Sequence, residues 1–218
     1  MKISEIYKKY KIPPHLQLHM YRVSALAWII CDNFENEVDK NNIVAADLLH
    51  DMGNIIKFDL KLFPEFLEPE GYDYWLKVQK DYIAKYGNDE HEATRIIAEE
   101  LSATPRIKEL LNSVGSSKTS RIISSKDKSK WIANYADYRV YPHGVVSLTK
   151  RLEDGRKRYV QNKGLHSVSM KKSIEIEKFS FKLEELIQKE TSIDLNSITD
   201  ESVSDIIKQL PNFEIETL

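Results

Sequence analysis

The stretch Pro13-Pro-His-Leu-Gln-Leu-His19-Met-Tyr-Arg-Val23-Ser-Ala-Leu-Ala-Trp-Ile-Ile-Cys31 decides the fold class. After the Pro pair, Leu16, His19, Val23, Leu26, Ala27 and Ile30 recur three and four residues apart, so they share one face of an α-helix. The same period runs outward along the chain. Ile43, Ala46, Leu49 and His50 mark a second helix, starting at Asn41 or Asn42, which are good N-cap residues, and ending at Gly53, a natural C′ position. Trp75, Val78, Tyr82 and Ile83 mark a third, closed by Gly87. Asp89 with Glu92 three residues on has the pattern of a capping box, opening a helix through Ile96, Ile97 and Leu101. Pro105 opens another that reaches about Val114.

Helical spacing resumes at Trp131, Ile132, Tyr135 and Tyr138 and breaks at Pro142. Val145, Leu148 and Leu152 predict one short helix ending by Gly155. A long amphipathic helix is expected after Gly164, and a last one from about Thr199 to Leu210, stopped by Pro211. Residues 58–74 read as an irregular connection, and Gly115 to Lys130 as a polar loop with few apolar anchors. There is no internal repeat, no heptad run and no convincing hairpin signal, so the expected class is all-α.

The length of 218 residues fits one domain with an appendage. The expected division is a helical bundle over 1–165 and a C-terminal helical extension over 166–218, packed on the same domain or available for a homodimer contact. A lone Cys31 excludes an intramolecular disulfide framework and any all-cysteine zinc site. A composition 41% hydrophobic and 30% charged belongs to a folded globular chain rather than a disordered one. No apolar run approaches the roughly 18–20 residues that cross a bilayer, and the first ten residues lack an apolar signal core. No membrane partner and a cytoplasmic location are therefore expected.

Charge is unevenly placed. The net of −2 averages a basic segment, 117–172, with fourteen Lys/Arg against four Asp/Glu, and an acidic one, 173–218, with four against eleven. Such blocks are usually solvated faces, although a basic segment beside a pocket attracts phosphate-bearing ligands. The basic segment carries no nucleic-acid motif, so nucleic acid is not an expected partner. No P-loop, no dinucleotide-binding glycine pattern and no Gly-x-Ser-x-Gly elbow is present. Cys31, inside an apolar helix run, reads as a small core residue.

The residues that carry chemistry are His19, the adjacent pair His50-Asp51, and Asp137. Imidazole and carboxylate together suit first-row divalent metals such as Mn, Fe, Co, Ni or Zn. His19 lies on the apolar stripe of its helix, His50 follows Leu49 on the buried side of the next, and Asp137 follows Tyr135-Ala136. An ionised Asp facing a core is costly unless paired or metal-bound. Taken singly, each has a plainer explanation: a core histidine, a chance dipeptide, a helix-capping Asp137 or one paired with Arg139. Jointly they point to a metal centre.

The segments His19-Met-Tyr-Arg22-Val23, Ala45-Ala-Asp-Leu-Leu-His50-Asp51-Met-Gly53 and Asn134-Tyr-Ala-Asp137 resemble the HD superfamily of metal-dependent phosphohydrolases. The resemblance covers roughly 15–140, with Arg139-Val-Tyr-Pro-His-Gly-Val-Val-Ser-Leu-Thr-Lys-Arg151 and Arg158-Tyr159 similar to a downstream stretch of bacterial members. It implies an HD-domain helical bundle with extra C-terminal helices, and a ligand set of His19, His50, Asp51 and Asp137. It implies one or two divalent ions, Mg included, that activate water against a phosphate ester. The expected substrate is a nucleotide or another small phosphorylated metabolite.

Around that set, Arg22 lies three residues after His19 and is expected to contact a phosphate oxygen or a nearby carboxylate. His91, in the first turn of its helix, is expected to bind phosphate or a second metal, or simply to face solvent. Asp47, one turn before Asp51, is expected to orient a ligand or act on a proton beside Asp51. His15 is expected to be structural. Family members often have Lys or Glu where this chain has Asn54, and Lys57 is expected to supply the missing charge. That departure leaves a second expectation: a catalytically weak or inactive HD domain that binds or senses a nucleotide.

Overall fold

The computed structural model describes residues 1–161 and 170–218. Among these there are eleven α-helices and one two-stranded hairpin, so the class is all-α. Helix α1 (Ile3–Lys9) leads into α2 (Pro14–Asp32) and α3 (Lys40–Leu49). A connection with 3₁₀ turns at Asn54–Lys57 and Pro64–Leu67 then reaches α4 (Tyr72–Tyr86), α5 (Glu90–Glu100) and α6 (Pro105–Leu111). Next come α7 (Thr119–Ser125), α8 (Lys128–Asp137) and the hairpin β1 (Val140–Tyr141) with β2 (Gly144–Val145). Helices α9 (Leu148–Gln161), α10 (Met170–Gln188) and α11 (Ser204–Gln209) complete the chain.

The core is built around α2 and α3, whose contact is the widest among the described residues; α3 also packs on α6, and both pack on α8. Fully buried Ala25, Ala27 and Ala46 let these backbones approach closely. Seven of the ten residues of α3 are buried because it is covered on several sides. That burial is why a polar group at the end of α3 needs a specific partner. No described helix is long and apolar enough to cross a membrane.

Several local expectations are corrected. The second helix stops at Leu49, and Gly53 has φ −92°, so it is no left-handed C′ residue. Glycine is required there for space: a Cβ would lie 2.3 Å from Glu90 O, where the turn meets α5. The Gly115–Lys130 stretch is not one loop. It holds α7 and the first turn of α8, because Thr119 and Ile122 are buried and Trp131 Nε1 donates to Ile122 O at 3.0 Å. Two buried residues within seven leave no readable period, and tertiary contact supplies the rest.

A hairpin does form, pairing Val140 with Val145 around Pro142-His143. Helix α9 runs through Gly155 rather than ending there, and Pro211 sits inside a 3₁₀ turn, Leu210–Asn212. Residues 199–202 form a separate turn closed by Thr199 N donating to Ser202 Oγ, so the last helix begins at Ser204. Helix α1 was not expected at all, since Ile3, Ile6 and Tyr7 alone set its buried face. The 165/166 boundary and the start expected after Gly164 lie outside the described residues.

The segment after α10 returns over the bundle. Ile3 N donates to Phe213 O and Ile215 N to Met1 O, while Ala103 bridges Thr217. The acidic stretch meets the basic one directly, through Lys128–Glu190 and Arg156–Glu177 pairs.

Candidate metal centre and cavity

Three helices deliver the expected ligands to one place. His19 projects from the second turn of α2, His50 caps the C-terminus of α3 with Asp51 next to it, and Asp137 is the last residue of α8. His19 Nε2 lies 3.6 Å from Asp51 Oδ2 and 3.4 Å from Asp137 Oδ1; His50 Nε2 lies 3.6 Å from each of the same two oxygens. The imidazole centroids are 5.3 Å apart. The ligand atoms of His19, His50 and Asp51 all fall within 4.8 Å of one another, and Asp137 joins them through its contacts to both rings. Two donors about 2.1 Å from a shared ion sit roughly 3.0–3.4 Å apart, so these spacings suit a divalent ion after small adjustment.

Local chemistry fixes the orientation of His50. Its Nδ1 is 2.7 Å from the Asp47 carbonyl oxygen, to which it donates. That leaves Nε2, a buried atom without a hydrogen-bond partner, directed at the carboxylates. A ring held this way has the aim of a metal ligand. Burial opposes charge on His50, but the carboxylates of Asp51 and then Asp137 outweigh it and raise its pKa to about 10. Burial likewise opposes charge on Asp137, and the facing His19 and His50 more than offset it, holding Asp137 well below the usual carboxylate range. The C-terminal ends of α3 and α8 add partial negative charge at the same point. His19, His50 and Asp51 form a group that could hold a metal ion.

Asp47 is fully buried behind His50, and neither carboxylate oxygen has a hydrogen-bond partner. Burial pushes its pKa far above the ordinary value, against the pull of His50 and with the push of Asp137. Its contact with the site is the backbone carbonyl that orients His50.

The cluster opens into a cavity of about 900 Å³ that is lined by His19, His50, Asp51 and Asp137. Lys57, His91 and buried Asn54 also line it. Lys57 Nζ is 3.2 Å from Glu90 Oε1, and His91 is 66% exposed at the start of α5. Arg22 is not among the lining residues. Its guanidinium forks onto Asp200, with Nε 2.9 Å from Oδ1 and Nη2 3.2 Å from Oδ2, so of its two expected contacts the structure holds the carboxylate. Asp200 also accepts from Val145 N, which ties α2, the hairpin and the C-terminal segment together. Nor does Arg139 pair with Asp137. It is wholly buried and donates to the Val146, Leu195 and Ile198 carbonyls and to Tyr135 Oη.

Two parts of the cavity escaped the sequence reading. An aromatic wall is made by His15 stacked on Phe66 (4.7 Å, 13°), with Phe58 and Phe63 beside them. The density of Phe over 58–66 was its only signal. The other is Lys118, in the segment taken for a loop. No family model, curated protein or solved structure matches the chain.

Proposed function

We propose that the chain is a metal-dependent phosphohydrolase of the HD superfamily, acting on a nucleotide or another small phosphorylated metabolite. One observation carries this reading: four ligand groups from α2, α3 and α8 converge with donor spacings of 3.4–3.6 Å around a buried, unpartnered imidazole nitrogen. A divalent ion bound there supplies Lewis acidity and a water acidified to a near-neutral pKa.

The chain's own groups do the remaining work. His19, His50, Asp51 and Asp137 hold the ion, with the Asp47 carbonyl fixing the His50 tautomer. Lys57 and His91, at the cavity rim, place positive charge or N–H donors toward a phosphoryl group. The aromatic wall of Phe58, Phe63, Phe66 and His15 supports a substrate with a planar or apolar body, and a nucleoside has one.

The test is metal content together with hydrolysis of a nucleotide and phosphomonoester panel, for the wild type, His50→Ala and Asp51→Ala. Stoichiometric metal and turnover in the wild type, both lost in the variants, supports the reading. Equal hydrolysis by all three contradicts it. Asn54 favours a second reading, a nucleotide-binding HD domain with little turnover, since a buried carboxamide brings neither an acid nor a charge to the cavity. Full metal occupancy without turnover across the panel would select that one.

A further inference from the structure

Three lysines line the cavity, and they are not equivalent. Lys57 is paired with Glu90, and Lys108 Nζ lies 2.8 Å from Glu99 Oε2. The Lys118 ammonium has no carboxylate and no other hydrogen-bond partner among the described residues. It is half-buried in the wall, and that burial lowers its pKa from the ordinary lysine value. A partly desolvated ammonium without a counter-ion is unfavourable until an anion arrives.

The turn that presents Lys118 is firmly built. Gly115, at φ 120°, adopts a conformation open to glycine, and a 3₁₀ turn over Ser116–Lys118 follows. Asn134, fully buried on α8, donates to the Ser113 carbonyl at 2.9 Å and to the Gly115 carbonyl at 3.0 Å. Its Oδ1 accepts from Thr119 Oγ1 at 3.1 Å, and Thr119 Oγ1 lies 2.8 Å from Tyr138 Oη. Asn134 is three residues before Asp137, and Tyr138 is the residue after it. The end of α8 thus carries both a ligand of the metal centre and the polar network that anchors the Lys118 turn. Buried networks that are fully satisfied hold a unique geometry, which an apolar filling would not.

We propose that Lys118 is an anion subsite of this cavity, its ammonium binding a phosphoryl oxygen of the substrate, with Asn134, Thr119 and Tyr138 as positioning residues. The identity of the anion rests on the phosphohydrolase reading; the existence of the subsite does not.

The test uses the full chain and inorganic phosphate. Amine acylation, read at each lysine by peptide mass spectrometry, is followed against phosphate concentration, with chloride at equal ionic strength as the control. Lys118 is expected to acylate faster than Lys108, and phosphate to protect it saturably while leaving Lys108 unchanged. By calorimetry, Lys118→Ala weakens phosphate binding about tenfold, Lys118→Arg recovers most of it, and metal content stays the same. If Lys118→Ala does not fold, protection in the wild type decides the matter. A Lys118 acylation rate indifferent to phosphate, in protein that binds metal and hydrolyses phosphoesters, overturns the subsite alone. Saturable protection in protein that neither binds metal nor turns over substrate keeps the subsite and removes the phosphohydrolase reading.

Discussion

At the scale of single residues, the same side-chain types acquire different chemistry from their surroundings. His15 and His19 share a helix, yet His15 is stacked on Phe66 with its Nδ1 3.2 Å from the Phe66 carbonyl. Burial lowers its pKa below the ordinary 6.5; the Phe66 carbonyl opposes the shift and the nearby His19 reinforces it. A group depressed in the folded state contributes stability that is present above its ordinary pKa and is lost as pH falls. Titration of the His15 ring by NMR should give a pKa below 6.5 in the wild type and one closer to 6.5 in Phe66→Ala. A wild-type value at or above 6.5 would refute the half-buried aromatic wall. His19 and His50, by contrast, face carboxylates, which is why the pair reads as ligands and His15 as wall.

At the scale of elements, two contacts set the site. The turn after α3 is pressed against α5, with Gly53 N donating to Thr94 Oγ1 at 3.0 Å. Gly53→Ala puts a methyl 2.3 Å from Glu90 O and should cost about 1–3 kcal/mol, read as a lowered denaturation midpoint. The turn before α7 hangs on Asn134. Asn134→Ala orphans the Ser113 carbonyl and takes one of two donors from the Gly115 carbonyl, and should cost about 1–3 kcal/mol, with faster amide exchange over 113–118 than in α3. Unchanged exchange there would show that the turn does not depend on α8. These elements also show what the sequence made legible. Helices α2, α3 and α8 were readable from the three- and four-residue spacing of their apolar residues, and His19 and His50 from their places in that spacing. Helix α7, the hairpin and the Lys118 turn were not. Their order comes from single contacts of Trp131, Asn134 and Arg139 with carbonyls 7 to 21 residues away, which leave no local periodicity. Gly53 was noticed for a conformational reason, whereas its actual reason, proximity to α5, is a tertiary fact.

At the scale of the whole molecule, the C-terminal segment closes the bundle. Arg139 is its main clasp, a buried guanidinium with no carboxylate partner, satisfied by the Leu195 and Ile198 carbonyls on one side and Val146 on the other. Arg139→Met leaves the Val146 and Ile198 carbonyls without their donor and takes one of two donors from the Leu195 carbonyl, and should cost about 3 kcal/mol or more, a fall of roughly 6–12 °C in Tm. Arg139→Lys should rescue little, because one ammonium cannot span three separated carbonyls. Wild-type Tm in Arg139→Met would show that the segment is held by other contacts. The proposed activity depends on α2, α3 and α8 together forming a metal centre. The most direct test is metal stoichiometry by elemental analysis after loading with Mn, Fe, Co, Ni, Zn or Mg, comparing the wild type with His50→Ala and Asp137→Asn whose helical circular dichroism is intact. At least one equivalent of a divalent ion retained by the wild type and lost by both variants is the predicted result; a folded wild type that retains none of these metals would contradict it.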